Sequence, residues 1–208
     1  MIELFISAFV TLFVVIDPPG CAPIFASLTG GTDQRHRRRM AIKSVLIAAA
    51  ILLFFGVLGE GLLKALGITL PAFRIAGGIM LFLIALEMVF EKRQERRENR
   101  ANEINAKPTA HEDISVFPMA IPMIAGPGSI ASTMLLMARG EGIWDTVAVL
   151  GALAAVLILT LLALFAAGPI LRLLGENVEA MITRLLGVIL AALAAQFVID
   201  GISISFSV

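Results

Sequence analysis

The stretch Ile16-Asp17-Pro18-Pro19-Gly20-Cys21-Ala22-Pro23 (IDPPGCAP) lies between two apolar runs, LFISAFVTLFVV before it and IFASLTG after it. Proline removes a backbone donor and collides with the preceding helical turn, while glycine admits conformations that a helix does not use. An acid, three prolines and a glycine therefore interrupt a segment that is otherwise apolar throughout. How that interruption is read decides the fold.

Composition sets the surroundings. The chain has 208 residues, 59% hydrophobic and only 15% charged, with a mean hydropathy of +0.95. Soluble domains lie nearer 45–50% apolar and about 25% charged. The charges are clustered, leaving apolar stretches of the ~20 residues that a ~30 Å hydrocarbon layer requires. A polytopic, all-α membrane protein follows, with six spans expected at 2–29, 43–64, 71–90, 114–137, 144–171 and 178–202. The start, MIELF, has neither the basic n-region nor the cleavage pattern of a signal peptide and reads as part of the first span. The single cysteine, Cys21, excludes an internal disulfide and a cysteine-based zinc site.

Loop charges orient the spans. Arg35, Arg37, Arg38, Arg39, Lys43, Lys92, Arg93, Arg96, Arg97, Arg100, Lys107, Arg172 and Arg184 fall on one side, against Lys64, Arg74 and Arg139 on the other. Thirteen against three marks the rich side as cytoplasmic and sends both termini outward. The long polar stretch 91–113 reads as a solvated cytoplasmic linker, helical until a break near Pro108.

The chain carries an internal echo. Pro19-Gly20 recurs as Pro127-Gly128 and Lys64-Ala65-Leu66-Gly67 as Arg172-Leu173-Leu174-Gly175, both 108 residues later; Arg74-Ile75-Ala76-Gly77 recurs as Arg184-Leu185-Leu186-Gly187 after 110. Three landmarks in one order, at nearly one offset, divide the chain into two three-helix repeats, 1–90 and 114–208, around the linker. A repeat with an odd number of spans enters from the opposite side in its second copy. Such inverted repeats are common in secondary transporters, whose sites lie at the midplane in helices broken at corresponding positions. Helices 1 and 4 are the expected broken pair.

Asp17 has sixteen residues before it and falls near the middle of its span. A charge there costs on the order of 2.5–3.5 kcal/mol on insertion scales, so an offsetting partner is required. One reading makes Asp17 an N-cap with Pro18 as the first residue of a half-helix. The other makes the two interruptions facing walls of a polar site, and the two are compatible. Half-helices opening near Cys21 and Ser129 present N–H groups and a positive dipole end suited to a carboxylate. The carbonyls near Ile16 and Ile124 suit an ammonium or small cation. Asp17 would pair with that cation or take up a coupling proton, and Ser129, Ser132 and Thr133 add hydroxyls. A zwitterion such as a small neutral amino acid fits this combination.

The segments FVVIDPPGCAPIF (13–25), FRIAGGIMLFLIALEM (73–88), FPMAIPMIAGPGSIAS (117–132) and RLLGVILAALAAQFVIDGI (184–202) resemble those of the MarC family of six-span inner-membrane proteins of bacteria and archaea. The resemblance covers nearly the whole chain outside the charged stretch. It implies a relation to small amino-acid exporters and neutral amino-acid transporters. The motif positions carried over are Asp17, Pro18, Gly20 and Pro23, then Gly126, Pro127 and Gly128. Cys21 departs from the asparagine that often follows the first motif glycine, which removes a polar side chain from the site.

Elsewhere, Glu60 and Glu87 lie towards span ends and are expected to be exposed at the interface or to pair with nearby Lys64 or Lys92. Gln196 is weighed as an interhelical hydrogen-bonding residue against a solute contact, and Asp200 as a wet residue at the outer end. Gly77, Gly78, Ala85, Gly187 and Ala191 read as packing faces. A membrane enzyme is disfavoured: Ser129 would need a base, yet His36 and His111 lie in polar loops, and an aspartyl protease needs two carboxylates that meet. A channel would favour rings of charge or carbonyls in an oligomer; a non-transporting scaffold or sensor is the third alternative. The expectation is a secondary transporter of small neutral amino acids or related metabolites, coupled to a proton or sodium ion. It requires no cofactor, metal or nucleic acid, and is compatible with a homo-oligomer.

Overall fold

The computed structural model describes residues 2–105, 113–140 and 142–206, without the side chains of 100, 104, 105 and 168–180. Helices α1 (Ile2–Ile16), α2 (Pro18–Leu28), α3 (Gln34–Ala65), α4 (Leu70–Val89) and α5 (Lys92–Asn105) come first. An irregular wide-turn segment, Ser115–Ile124, then precedes α6 (Pro127–Met137), α7 (Ile143–Phe165) and α8 (Ala167–Phe206). Among the described residues, five helical stretches are long and apolar enough to cross a membrane: Ile2–Leu28, Gln34–Ala65, Leu70–Val89, Ile143–Phe165 and Met181–Phe206. Ser115–Ile124 and Pro127–Met137, bent by 54° at their junction, make a sixth if they are one span.

Local chemistry explains where the helices begin. Asp33 caps α3 by accepting from the Arg35 N–H, and Thr69 caps α4 by accepting from the Ala72 N–H with Pro71 in the first turn. Gly31 and Gly67, at φ 78° and 71°, make the turns before α3 and after α3 that a side chain would strain. In the segment 115–124 the peptide bonds before Pro118 and Pro122 are cis. Phe117 and Ile121 leave helical geometry, and the Met119 and Ala125 N–H groups reach back five residues to the Ile114 and Ala120 carbonyls.

One expectation is corrected here, and a second gains detail. The fifth span was expected to run to residue 171 with a loop before 178; instead the helix turns at Ala166, and the backbone continues as helix from Ala167. The stretch 91–113 was expected to be solvated. Its α5 lies along α2 and α4 with Arg93 and Ala101 buried, while Lys92, Glu95, Arg96, Glu98, Asn99, Asn102 and Glu103 are exposed. The expected break near Pro108, and His111, lie outside the described residues.

The packing places α1, α2 and α6 innermost. The two halves of the first apolar stretch pack on α7; α3 packs on the segment 115–124 and on α6; α1 also touches α6. The most extensive interface joins α4 to α8. These two run antiparallel: Gly201 lies against Pro71 and Ile75, Gly78 against Ala194 and Val198, and Gly187 against Ala85 and Met88. Outward faces carry Leu53, Phe54, Val57, Phe82, Leu83, Val188 and Ile189, exposed apolar side chains of the kind that face lipid.

Gly78 tests the close approach. A Cβ there would stand 2.8 Å from the Ala194 carbonyl oxygen and 2.7 Å from Val198 Cγ2. Gly78→Ala should lower stability by about 1–3 kcal/mol through overpacking, read as a lower midpoint in thermal unfolding of the detergent-solubilised protein. The Lys43–Asp113 ion pair, which ties α3 to the start of the 115–124 segment, supplies a pH test. Hydrogen bonds from Lys43 and then Ser115 hold the Asp113 carboxyl down at about 2, below the ~3.9 of an unfolded aspartate. Its contribution is therefore present above about pH 4 and lost as pH falls toward about 2. The difference in unfolding midpoint between wild type and Asp113→Asn should be largest above pH 5 and shrink through that window.

Candidate functional site

The first interruption starts from missing donors. In an unbroken helix the Val14 and Val15 carbonyls would accept from residues 18 and 19, both prolines without an N–H. The chain responds at Asp17, which takes the left-handed conformation (φ 58°, ψ 66°) that Asp tolerates better than most residues. Asp17 Oδ1 then accepts from the Gly20 N–H at 3.1 Å and caps α2, with Pro18 at its first position. Cys21 is buried, its Sγ donating to the Ile16 carbonyl at 3.4 Å.

Two arginines from α5 complete this arrangement. Arg93 Nη2 donates to the Val15 carbonyl at 2.6 Å, replacing the donor that Pro19 lacks, and Nη1 donates to Met88 Sδ at 3.1 Å. Burial, and then neighbouring Arg97, lower the Arg93 guanidinium to about 10, so it remains cationic at neutral pH. Arg97 Nη1 donates to Asp17 Oδ2 at 2.8 Å, with the two side chains 10% and 1% exposed. Gly20 makes room for this contact. A Cβ on it would lie 2.3 Å from Asp17 Oδ2 and 2.9 Å from Arg97 Nη1.

The second interruption uses a hydroxyl where the first uses a carboxylate. Ser129 Oγ accepts from the Gly126 N–H at 3.0 Å and donates to the Ile124 carbonyl at 2.6 Å, so it ties the two sides of the bend together where α6 opens at Gly126-Pro127. Thr133 Oγ1 donates to the Ser129 carbonyl at 2.7 Å. The two interruptions are neighbours: a Cβ on Gly128 would lie 3.2 Å from Val15 Cγ1. Beside them lies a cavity of about 280 Å³, lined by Val15 of α1 and Ile24 of α2, which flank the first interruption, by Gly126, Pro127, Gly128 and Ser129 of the second, and by Arg93, Arg96 and Arg97 of α5.

The sequence-expected residues fall into three groups around this cavity. Gly126, Pro127, Gly128 and Ser129 line it directly. Asp17, Pro18, Gly20 and Cys21 are buried at the adjoining turn, with half-buried Pro23 inside α2. Ser132 and Thr133 are buried deeper in α6, and Ser132 Oγ has no hydrogen-bond partner among the described residues. Gln196 is not among the cavity-lining residues: it is exposed and donates to Asp200 Oδ1 at 2.7 Å. Asp200, expected to be wet, also holds Arg139 at 2.5 Å, and Arg139 stacks over Phe197. Glu60 pairs with Lys64 at 2.7 Å as expected. Glu87 pairs with Arg96 through both oxygens at 2.8 Å rather than with Lys92. Arg93, Arg96 and Arg97 were missed as site residues. The available signal was the need of a midspan Asp17 for a cationic partner.

Comparison with known proteins agrees in scale. The model of the MarC family, described as MarC family integral membrane protein, matches residues 2–206. UPF0056 membrane protein MJ1677 of Methanocaldococcus jannaschii is 40% identical over 201 residues, 97% of this chain and 97% of its own length. UPF0056 membrane protein YvbG of Bacillus subtilis is 36% identical over 208 residues, covering 100% and 98%. UPF0056 inner membrane protein YhgN of Escherichia coli is 35% identical over 201 residues, covering 95% of each. No solved structure matches.

Asp17→Asn separates the two roles of the acid. Asparagine caps a helix about as well as aspartate, but it removes the carboxylate charge that the buried Arg97 guanidinium faces. The loss should therefore be on the order of 3 kcal/mol, as for removing one partner of a buried pair, and not the few tenths expected of a cap exchange. Thermal or denaturant unfolding in detergent measures it.

Proposed function

This chain belongs to the MarC family of integral membrane proteins, and we propose that it is a secondary transporter of small neutral amino acids or related small zwitterions. The observation that carries the reading is the cavity where the two interruptions meet: Val15 and Ile24, on either side of the first, and Gly126, Pro127, Gly128 and Ser129 of the second line one space of about 280 Å³. That volume lies at the small end of ligand sites, and a water occupies about 30 Å³ of liquid volume, so the space suits a solute of a few heavy atoms. Interrupted helices bring bare N–H and carbonyl groups to such a site, and irregular backbone at membrane depth is tolerated where it is buried in protein or lines a cavity.

The packing supports an inverted-repeat plan. Exchanging the first, second and third spans with the fourth, fifth and sixth maps the contacts of the first span with α7 onto those of α3 with the segment 115–124 and α6. It maps the α4–α6 contact onto those of α1 and α2 with α8, and the α4–α8 contact onto itself. The antiparallel course of α4 and α8 agrees with two units of opposite orientation. In this reading 1–90 and 114–208 are the repeats, helices 1 and 4 are the broken pair, and both termini face outward in the inner membrane. A proton or sodium ion couples the movement. The chain has no catalytic role.

Purified protein in liposomes, given labelled alanine, glycine and serine under imposed proton and sodium gradients, tests this. Saturable flux that responds to one gradient is the expected result. Asp17→Asn should abolish the flux or uncouple it from the gradient while the protein still inserts. Substrate-independent or absent flux in the wild type would contradict the reading.

A further inference from the structure

The Asp17–Arg97 pair joins parts of the chain 80 residues apart. Asp17 belongs to the first interruption, whereas Arg97 arrives from α5, outside both proposed repeats. The three arginines at the cavity differ in what holds them. Arg93 is seated on the Val15 carbonyl and Met88, where it replaces a backbone donor. Arg96 is held by both oxygens of Glu87. Arg97 holds the buried carboxylate through Nη1 and also lines the cavity, alongside Gly128 and Ser129 at the opening of α6.

A buried ion pair at the edge of a cavity selects which charges can enter. A zwitterion brings an ammonium and a carboxylate on one small skeleton. Inserted at the pair, its ammonium meets Asp17 and its carboxylate meets Arg97 and the first turn of α6. One ion pair is exchanged for two, the net charge of the site is unchanged, and neither protein charge is left bare. A solute carrying only an ammonium would part Arg97 from the Asp17 carboxylate with no carboxylate in exchange, and one carrying only a carboxylate would part Asp17 from the Arg97 guanidinium. Leaving one member of a buried pair uncompensated is costly, so the arrangement discriminates by the penalty it imposes on the wrong solute. We propose that Arg97 is a solute-binding residue, paired with Asp17 in the structure and exchanged onto the solute's carboxylate during binding; this rests on the carrier reading given above.

The test is equilibrium dialysis of purified protein with labelled alanine, competed by unlabelled alanine, alanine methyl ester or propionate. Wild type should bind alanine and yield it to neither single-charge analogue. Arg97→Gln should bind alanine about tenfold or more weakly, as expected for a lost charge-assisted contact, and the methyl ester should now compete as well as alanine does. Arg97→Lys keeps the charge and should keep the preference for alanine over the ester, which decides the matter if the glutamine variant is not monodisperse. Wild-type alanine affinity in Arg97→Gln, or an ester that competes equally against Arg97→Lys, would overturn the role of Arg97 and leave the carrier reading standing. A wild type that binds neither alanine nor glycine would overturn both.

Discussion

The contact between Asp17 and Arg97 is the constraint around which the rest of the inner structure is arranged. A carboxylate near the middle of an apolar span is stable only with a counter-charge and satisfied oxygens. The capping bond from the Gly20 N–H serves one oxygen, and the guanidinium serves the other. To bring that guanidinium in, the charged helix α5 must lie against α2 and α4, and Arg93 beside it then reaches the Val15 carbonyl that the proline pair left without a donor. A defect in one helix is thus repaired by another that composition alone would place in water.

The two interruptions solve the same backbone problem with different chemistry. At the first, a carboxylate caps the new helix and imports two arginines. At the second, the Ser129 hydroxyl both accepts from Gly126 and donates to Ile124, and needs no charge. A charged wall and a neutral, hydroxyl-lined wall therefore meet across one cavity. Under the proposed carrier reading, such asymmetry would orient a solute with unlike ends.

Much of this was legible in the sequence, and what was not has a physical reason. The positions of the apolar stretches, the interruptions at residues 17–20 and 126–128, and the capping role of Asp17 follow from local rules about proline, glycine and donors. The Glu60–Lys64 pair follows from helical spacing. By contrast, Arg93 and Arg97 sit in a run of charges that has the same composition whether it faces water or folds back on an acid 80 residues away. Local pattern carries no information about such a contact; only the unmet electrostatic need of Asp17 points to it. Glu87 likewise found Arg96 instead of Lys92 because the turn after α4 sets which side chain arrives. The outward placement of Gln196 depends on which face of α8 packs against α4, and runs of Ala, Leu and Val leave that face undefined.

The most direct test of the account is a double-mutant cycle on stability, with Asp17→Asn, Arg97→Gln and the two combined, followed by unfolding of the purified protein. If the buried pair is what holds α5 to the interruption, each single change strands a charge or its seat, and the double variant recovers much of the loss, giving a coupling of about 2 kcal/mol or more. Losses that simply add, to within about 0.5 kcal/mol, would contradict it.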